Sequence, residues 1–277
     1  MNACGPHDTP RLVTRIGVGS VGVILQQQEL EFKRLFIENP LLIYVERGTK
    51  RVRWSGGEYL IRAGEAIALA GGQSLDITNR LAEDGSYRAF WLAWDDTLIV
   101  AQAHAHPELA IIRHAQPLTF GTQEFREALQ RAMQAVEDER IPSSIAPHRL
   151  QEILIWIGMH GCRFEHSKPV TMGAKLRRLI GQDFAREWNA PSIASIFAMS
   201  EATLRRKLAD EGTNLSKILV DARMSFALQL LQSTMEPVAQ IALTVGYQTP
   251  SQFAVRFRDR FGFPPTAIRG HRRVHIQ

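Results

Sequence analysis

The chain has 277 residues, 45% hydrophobic and 22% charged, with a formal net charge of +5. This is the composition of a globular protein of one large or two ordinary domains, with ample apolar material for a core. No run of about eighteen apolar residues is present to span a membrane, and Met1 to Asp8 lack the basic start and apolar stretch of a secretory signal. A cytoplasmic protein with no membrane partner is therefore expected.

Cys4 and Cys162 make neither a metal spacing nor a disulfide framework, and reduced thiols are expected. Up to about Trp94 the chain has the pattern of short strands separated by turns. Leu41-Leu42-Ile43-Tyr44-Val45 is a β-prone run closed by a turn at Gly48. Lys50-Arg51-Val52-Arg53-Trp54 then alternates polar and apolar, as a half-buried strand does. Gly56-Gly57 is a hairpin signal, and Tyr59-Leu60-Ile61 resumes the strand. Turns at Ala63-Gly64-Glu65 and Gly71-Gly72 bracket Ala66-Ile67-Ala68-Leu69. Asp76-Ile77-Thr78 and the run from Tyr87 to Leu92 follow. Short strands at this spacing predict a sandwich or small barrel of the jelly-roll, cupin-like kind. His104-Ala105-His106, with Pro107 after it, is expected in a loop. It lacks a third His or carboxylate at ligand spacing, so no metal and no other cofactor is expected.

Near Gly121 the period changes. Phe125, Leu129, Ala132, Met133 and Val136 recur at three and four residues, as on an amphipathic helix. Pro142 and Pro147 punctuate, and a second helix is predicted from about His148 to Met159. Such a pair either packs on the sheet or joins subunits into a homodimer, and both readings stay open. The polar stretch from Glu165 to Lys168, with Pro169, marks a linker. The expected division is an N-terminal domain over 1–164, a linker over 165–172 and a C-terminal domain over 173–277, an α+β chain as a whole.

From Gly173 onward the pattern is helical in short segments, and charge is segregated. Residues 171–277 hold 15 Lys and Arg against 8 Asp and Glu, net +7, while the rest hold 18 against 20, net −2. A basic segment suits a polyanionic partner. A helix-turn-helix, with a short supporting helix, a tight turn and a second helix with one free face, can be traced twice. In the first copy Ser192 to Ala198 supports, Ser200 caps, and the next helix buries Leu204 and Leu208 while presenting Ala202, Arg205, Arg206 and Ala209. In the second, Pro237 to Leu243 supports, Gly246 turns, and Thr249 and Pro250 open a helix that buries Phe253 and Phe257. Its other face carries Ser251, Ala254, Val255 and Arg258.

The run Ile241-Ala242-Leu243-Thr244-Val245-Gly246-Tyr247-Gln248-Thr249-Pro250-Ser251-Gln252-Phe253, then Phe257, Phe261-Gly262-Phe263-Pro264-Pro265 and Arg269, closely resembles the signature of the AraC/XylS family of transcription regulators. Ile193-Ala194 to Leu208, Arg223, Ala227, Leu230 and Leu231 also fit. The resemblance covers about Gly173 to Arg269 and, in its first helix-turn-helix, is closest to enteric virulence and acid-stress regulators. It implies an all-α domain of seven helices with two helix-turn-helix units joined by a long helix, and double-stranded promoter DNA as partner. Carried over, the base-reading positions are Ala202, Arg205 and Arg206, with Pro250, Ser251, Ala254 and Val255. Many members have Ser-Arg where this chain has Ala254-Val255, which points to weaker base reading by the second unit. Arg256, Arg258, Arg269, Arg272 and Arg273 are the candidate phosphate contacts.

The resemblance further implies an N-terminal regulatory domain, RNA polymerase as a second partner, and activation rather than repression. Some members of the resembled subgroup bind fatty acids, so a small-molecule effector of that class is one expectation. Lys33, Arg34, Arg51, Arg53 and Arg62 are the candidate cations for its carboxylate. Control by a protein partner is an alternative. A metal-binding cupin enzyme with a DNA-binding appendage is a third reading. No nucleophile elbow, phosphate loop or catalytic carboxylate pair is visible, so no enzyme is expected.

Overall fold

The computed structural model describes residues 11–119, 122–165 and 171–269. The chain divides into two compact units, one built mainly on Met1–His166 and the other on Ser167–Leu231 with Glu236–Ala267.

The first unit is an antiparallel β sandwich. Its strands are β1 (Arg11–Arg15), β2 (Gly19–Gln26), β3 (Leu30–Ile37), β4 (Leu41–Arg47), β5 (Thr49–Trp54), β6 (Gly57–Arg62), β7 (Ala66–Leu69), β8 (Gln73–Arg80) and β9 (Tyr87–Trp94). With the later β11 (Ala115–Leu118), they form a six-stranded sheet in the order β1-β2-β9-β4-β7-β11 and a four-stranded sheet in the order β3-β8-β5-β6. Short β10 (Ala110–Ile111) and β12 (Cys162–Arg163) pair in parallel beside them. The strands expected between Leu41 and Leu92 are all present, and β1 to β3 precede them. Gly22 lies opposite Trp91 across β2 and β9, where a Cβ would sit 2.3 Å from the indole Nε1. Glycine is what lets a tryptophan lie flat on that strand.

Three helices complete this unit: α1 (Asp96–Ala105), α2 (Gln123–Glu137) and α3 (Ala146–Gly158). The histidine pair departs from expectation. Asp95 caps α1 by accepting from the Thr97 N–H, so His104 lies in the last helical turn and His106 at the C-cap. Both are exposed, and His106 faces Glu108 at 3.2 Å. The apolar stripe of α2, from Phe125 to Val136, and Leu150, Ile153, Leu154 and Ile157 of α3 share one core with Val21, Val23, Leu92 and Trp94 of the large sheet. Both helices therefore pack on the sheet. Arg15 of β1 fixes the end of α2: its guanidinium donates to the carbonyls of Ala135 (2.8 Å) and Ile141 (2.7 Å). A cation there satisfies the Ala135 carbonyl, which lies in the last turn of α2, and complements the helix dipole.

The second unit is helical: α4 (Met172–Gly181), α5 (Ala190–Ile196), α6 (Glu201–Asp210), α7 (Leu215–Ser233), α8 (Val238–Thr244), α9 (Pro250–Phe261) and a 3₁₀ turn at Pro265–Arg269. Six α-helices and one 3₁₀ turn fill the seven places that the resemblance implies. Leu176, Ile180, Ile193, Leu204, Leu208 and Ile218 form a core that joins α4, α5, α6 and α7. Glu211 caps α4 by accepting from the Met172 and Gly173 N–H groups.

Candidate nucleic-acid interface

Two helix pairs in the second unit repeat one local design. In α5 the N–H of Met199 donates to the Ala194 carbonyl at 2.9 Å, and in α8 the N–H of Tyr247 donates to the Ala242 carbonyl at the same distance. Each closes the helix around a left-handed residue, Ala198 (φ 50°) in the first pair and Gly246 (φ 83°) in the second. A non-glycine residue in that region is uncommon, so the first turn carries a backbone cost that the second avoids. Gly246 has a further reason to lack a side chain: a Cβ would lie 2.6 Å from both an Arg223 nitrogen and the Phe184 carbonyl oxygen.

The second helix of each pair opens on a hydroxyl cap. Ser200 accepts from the Thr203 N–H at 3.1 Å, and Thr249 from the Gln252 N–H at 3.2 Å. Counting from these caps aligns the two helices residue by residue. Leu204 matches Phe253 and Leu208 matches Phe257, and all four are buried. On the outward face Ala202 matches Ser251, Arg205 matches Ala254, Arg206 matches Val255, and Lys207 matches Arg256. Ala202, Arg205, Arg206, Ser251 and Val255 are exposed, whereas Ala254 is half-buried. Arg205 lies 3.4 Å from Glu201 one turn earlier, and its side chain stays 76% exposed. A surface pair of that kind is weak enough to give way to a base edge.

The outward faces therefore differ in chemistry. The first offers two exposed guanidinium forks, a group able to take guanine O6 and N7 together. The second offers a hydroxyl, a methyl and an isopropyl group, and Val255 remains 50% exposed. Apolar groups there suit thymine methyls and little else. Arg256 and Arg258 flank this face and are exposed. The side chain of Arg269, and Arg272 and Arg273 altogether, lie outside the described residues.

Two groups missed in the sequence as structural devices hold the pairs in place. Arg223 of α7 donates to the carbonyls of Phe184 (3.1 Å), Arg186 (3.0 Å) and Gly246 (3.2 Å), tying the segment between α4 and α5 to the turn between α8 and α9. Burial lowers the pKa of its guanidinium, which stays charged over the Tyr247 ring. Asp221, also on α7, accepts from Arg260 of α9 at 2.8 Å and lies 3.7 Å from Arg177 of α4. All three side chains are at most 20% exposed, so this pairing is screened little by salt. Arg223 matched the family pattern, but only the fold reveals which carbonyls it meets.

In the first unit the candidate cations fall on the outward side of the small sheet. Lys33, Arg34, Arg53 and Arg62 are exposed and Arg51 is half-buried. Arg34 sits at a bulge with φ 51°, and Arg53 pairs with Glu31 (3.4 Å) and Asp76 (3.3 Å). Among the described residues no group of three or more His, Cys, Asp or Glu is placed to hold a metal ion. No described helix is long and apolar enough to cross a membrane.

Comparison with known proteins agrees with this arrangement. Residues 193–271 match a family described as a helix-turn-helix domain, and residues 40–160 match the ExsA N-terminal regulatory domain. The transcriptional regulator SirC of Salmonella typhimurium is 37% identical over 104 residues, 38% of this chain and 35% of that protein. GadX, an HTH-type transcriptional regulator of Escherichia coli, is 36% identical over 95 residues, 34% of this chain and 35% of its own. The chain thus spans about a third of the length of these relatives. Unsaturated fatty acid-bound ToxT from Vibrio cholerae has the same fold, with a TM-score of 0.64 over 90% of this chain and 94% of that one at 14% identity. Both domain matches, in this order, agree with the two aligned helix pairs: residues 193–271 are similar to a helix-turn-helix domain and residues 40–160 to a regulatory domain.

Proposed function

We propose that this protein is a sequence-specific DNA-binding transcription regulator whose N-terminal domain governs DNA binding in response to a small-molecule effector. The observation that carries this reading is the repeated helix pair with exposed outer faces, one of them bearing Arg205 and Arg206. In this reading Arg205 and Arg206 supply most direct base recognition. Ser251, Ala254 and Val255 make apolar and hydroxyl contacts, and Arg256, Arg258, Arg269, Arg272 and Arg273 hold phosphates. The working domain bounds are 1–164, 165–172 and 173–277. Activation through RNA polymerase, in the cytoplasm and as a homodimer, is the accompanying expectation. The names of SirC and GadX support regulation, and the ligand in the ToxT structure supports a fatty acid as effector class.

The test is selection of a binding site from random duplex DNA, followed by affinity measurements on that site and on an unrelated duplex. Arg205→Ala and Arg206→Ala should each cost about 1–3 kcal/mol on the selected site and much less on the unrelated one. Equal losses on both duplexes would remove the base-reading assignment. Gentle native mass spectrometry of the full chain then separates a bound small molecule from protein-partner control. Stoichiometric metal in the same preparation would favour the cupin-enzyme alternative.

A further inference from the structure

A charged side chain sits inside the β sandwich with too few acceptors around it. Lys50 is the second residue of β5, where strand alternation places it inward with Val52, and it is 1% exposed. Its Nζ donates to Asn79 Oδ1 at 2.6 Å. The next residue in this chain of contacts is Gln26, whose Oε1 accepts from Asn79 Nδ2 at 3.0 Å. The Lys50 ammonium can only donate, so in that form this first bond fixes the orientation of the Asn79 amide. That in turn fixes the Gln26 amide, because Nδ2 needs an oxygen opposite it. Both amide oxygens are therefore used by donors.

What remains is a surplus of donors. Among the described residues, Gln26 Nε2 and the Tyr87 hydroxyl are buried without a hydrogen-bond partner. The Tyr87 ring lies beneath Lys50 Nζ at 5.4 Å. The Lys50 ammonium has three N–H groups to place and one amide oxygen to receive them. The neighbouring buried positions, Leu30 in β3, Ile61 in β6 and Asn79 in β8, are all uncharged. Burial alone pulls the Lys50 pKa from 10.5 to about 7, with no anion to hold the proton. Buried donors left without acceptors are rare, because each carries a desolvation cost.

The cluster lies close to the strand ends. Gln26 ends β2, Tyr87 begins β9, and Lys50 and Asn79 each lie one residue from a strand end. They sit at one rim of the sandwich, next to the exposed turn Gln27-Gln28-Glu29. We propose that Lys50, Tyr87 and Gln26 form an internal receptor for one carboxylate group of a small apolar acid. Two carboxylate oxygens supply the missing acceptors, the single negative charge matches the single ammonium, and the apolar part would meet the neighbouring Leu30 and Ile61. This assignment rests on the reading of the N-terminal domain as effector-controlled. It moves the anchoring cation from the outward-facing set to an inward lysine.

The full-length protein is titrated with sodium acetate, butanoate and octanoate against sodium chloride at matched ionic strength, by calorimetry and thermal midpoint. At least one carboxylate should bind and raise the midpoint in a concentration-dependent way. Lys50→Met should weaken that binding at least tenfold while its unliganded midpoint does not fall, since an apolar side chain replaces a buried amine. Tyr87→Phe, which keeps the ring, should weaken binding several-fold and covers the case of a poorly folding Lys50 variant. The receptor is overturned if none of the three acids binds above chloride, or if both variants bind as the wild type does. Should an acid bind through Lys50 yet leave affinity for the selected DNA unchanged, the receptor stands and effector control falls.

Discussion

Arg223 meets three main-chain carbonyls, and none of them belongs to its own helix. Removing it leaves those acceptors without a charged donor in a half-buried place, so Arg223→Ala should cost the helical unit about 2–4 kcal/mol. Arg223→Lys should restore little of this, because one ammonium cannot reach three separated oxygens. Denaturant titration of the two variants checks both statements; an alanine variant as stable as the wild type would end the clamp assignment. Lys50 makes a different kind of prediction. Its pKa is 10.5 when free and about 7 when folded, so between these values the unfolded chain holds a proton that the folded chain has released. Stability should therefore rise with pH across that window, by at most about 1.4 kcal/mol per unit, and the lysine should contribute no slope below it, where both states are protonated. Equilibrium unfolding at about pH 7 and pH 9 should show this gain in the wild type and not in Lys50→Met. Lysine 50 was also the residue hardest to see in the sequence. A lysine in an alternating strand suggests solvent, and only knowing that Val52 points inward turns its parity into burial.

Among the elements, α6 and α9 share a cap, a turn and a buried stripe but not a reading face. If Arg205 and Arg206 do the base recognition, the selected DNA should show a well-defined half-site under α6 and a loose one under α9. Val255→Arg places a guanidinium at the position equivalent to Arg206, and should sharpen the second half-site in a repeated selection. An unchanged consensus would mean that α9 does not enter a groove closely enough to read it. The helices of this domain were legible in the sequence because their apolar positions recur at three and four residues and their caps are Ser, Thr or Pro. The strands from Leu41 onward were legible through alternation and glycine turns. β2 was not, because it is buried on both faces and interrupted by Gly22, so it has no alternation to detect. Helix α1 escaped for the opposite reason: only Ile99 and Gln102 are buried on it, too few to mark a stripe.

Charge is divided along the whole molecule, with net +7 on residues 171–277 and −2 on the rest. Under the proposed function, the basic C-terminal segment should bind DNA with a steep salt dependence that the N-terminal segment does not share. Arg258 is exposed beside the second reading face. Arg258→Ala should lower affinity for all duplexes alike and reduce the slope of log K against log salt by about one. A loss confined to the selected site would instead make Arg258 a base reader. The division of labour between basic and acidic segments was visible in the sequence. The Asp221 pairing was not, because its partners lie 39 and 44 residues away along the chain.

That pairing has a consequence for the DNA rather than for the protein. One carboxylate holds α9 on α7 and α4, so α6 and α9, the proposed readers, should behave as the jaws of a fixed caliper. Readers joined by a flexible linker would tolerate variable gaps between their half-sites. Here, inserting one base pair would rotate the second half-site by roughly 35° away from its reader. Under the proposed function, the protein's DNA sites should drift in the bases under each jaw, above all under α9, but not in the distance between them. A genome search for its targets should hold that spacing constant and let the second half vary.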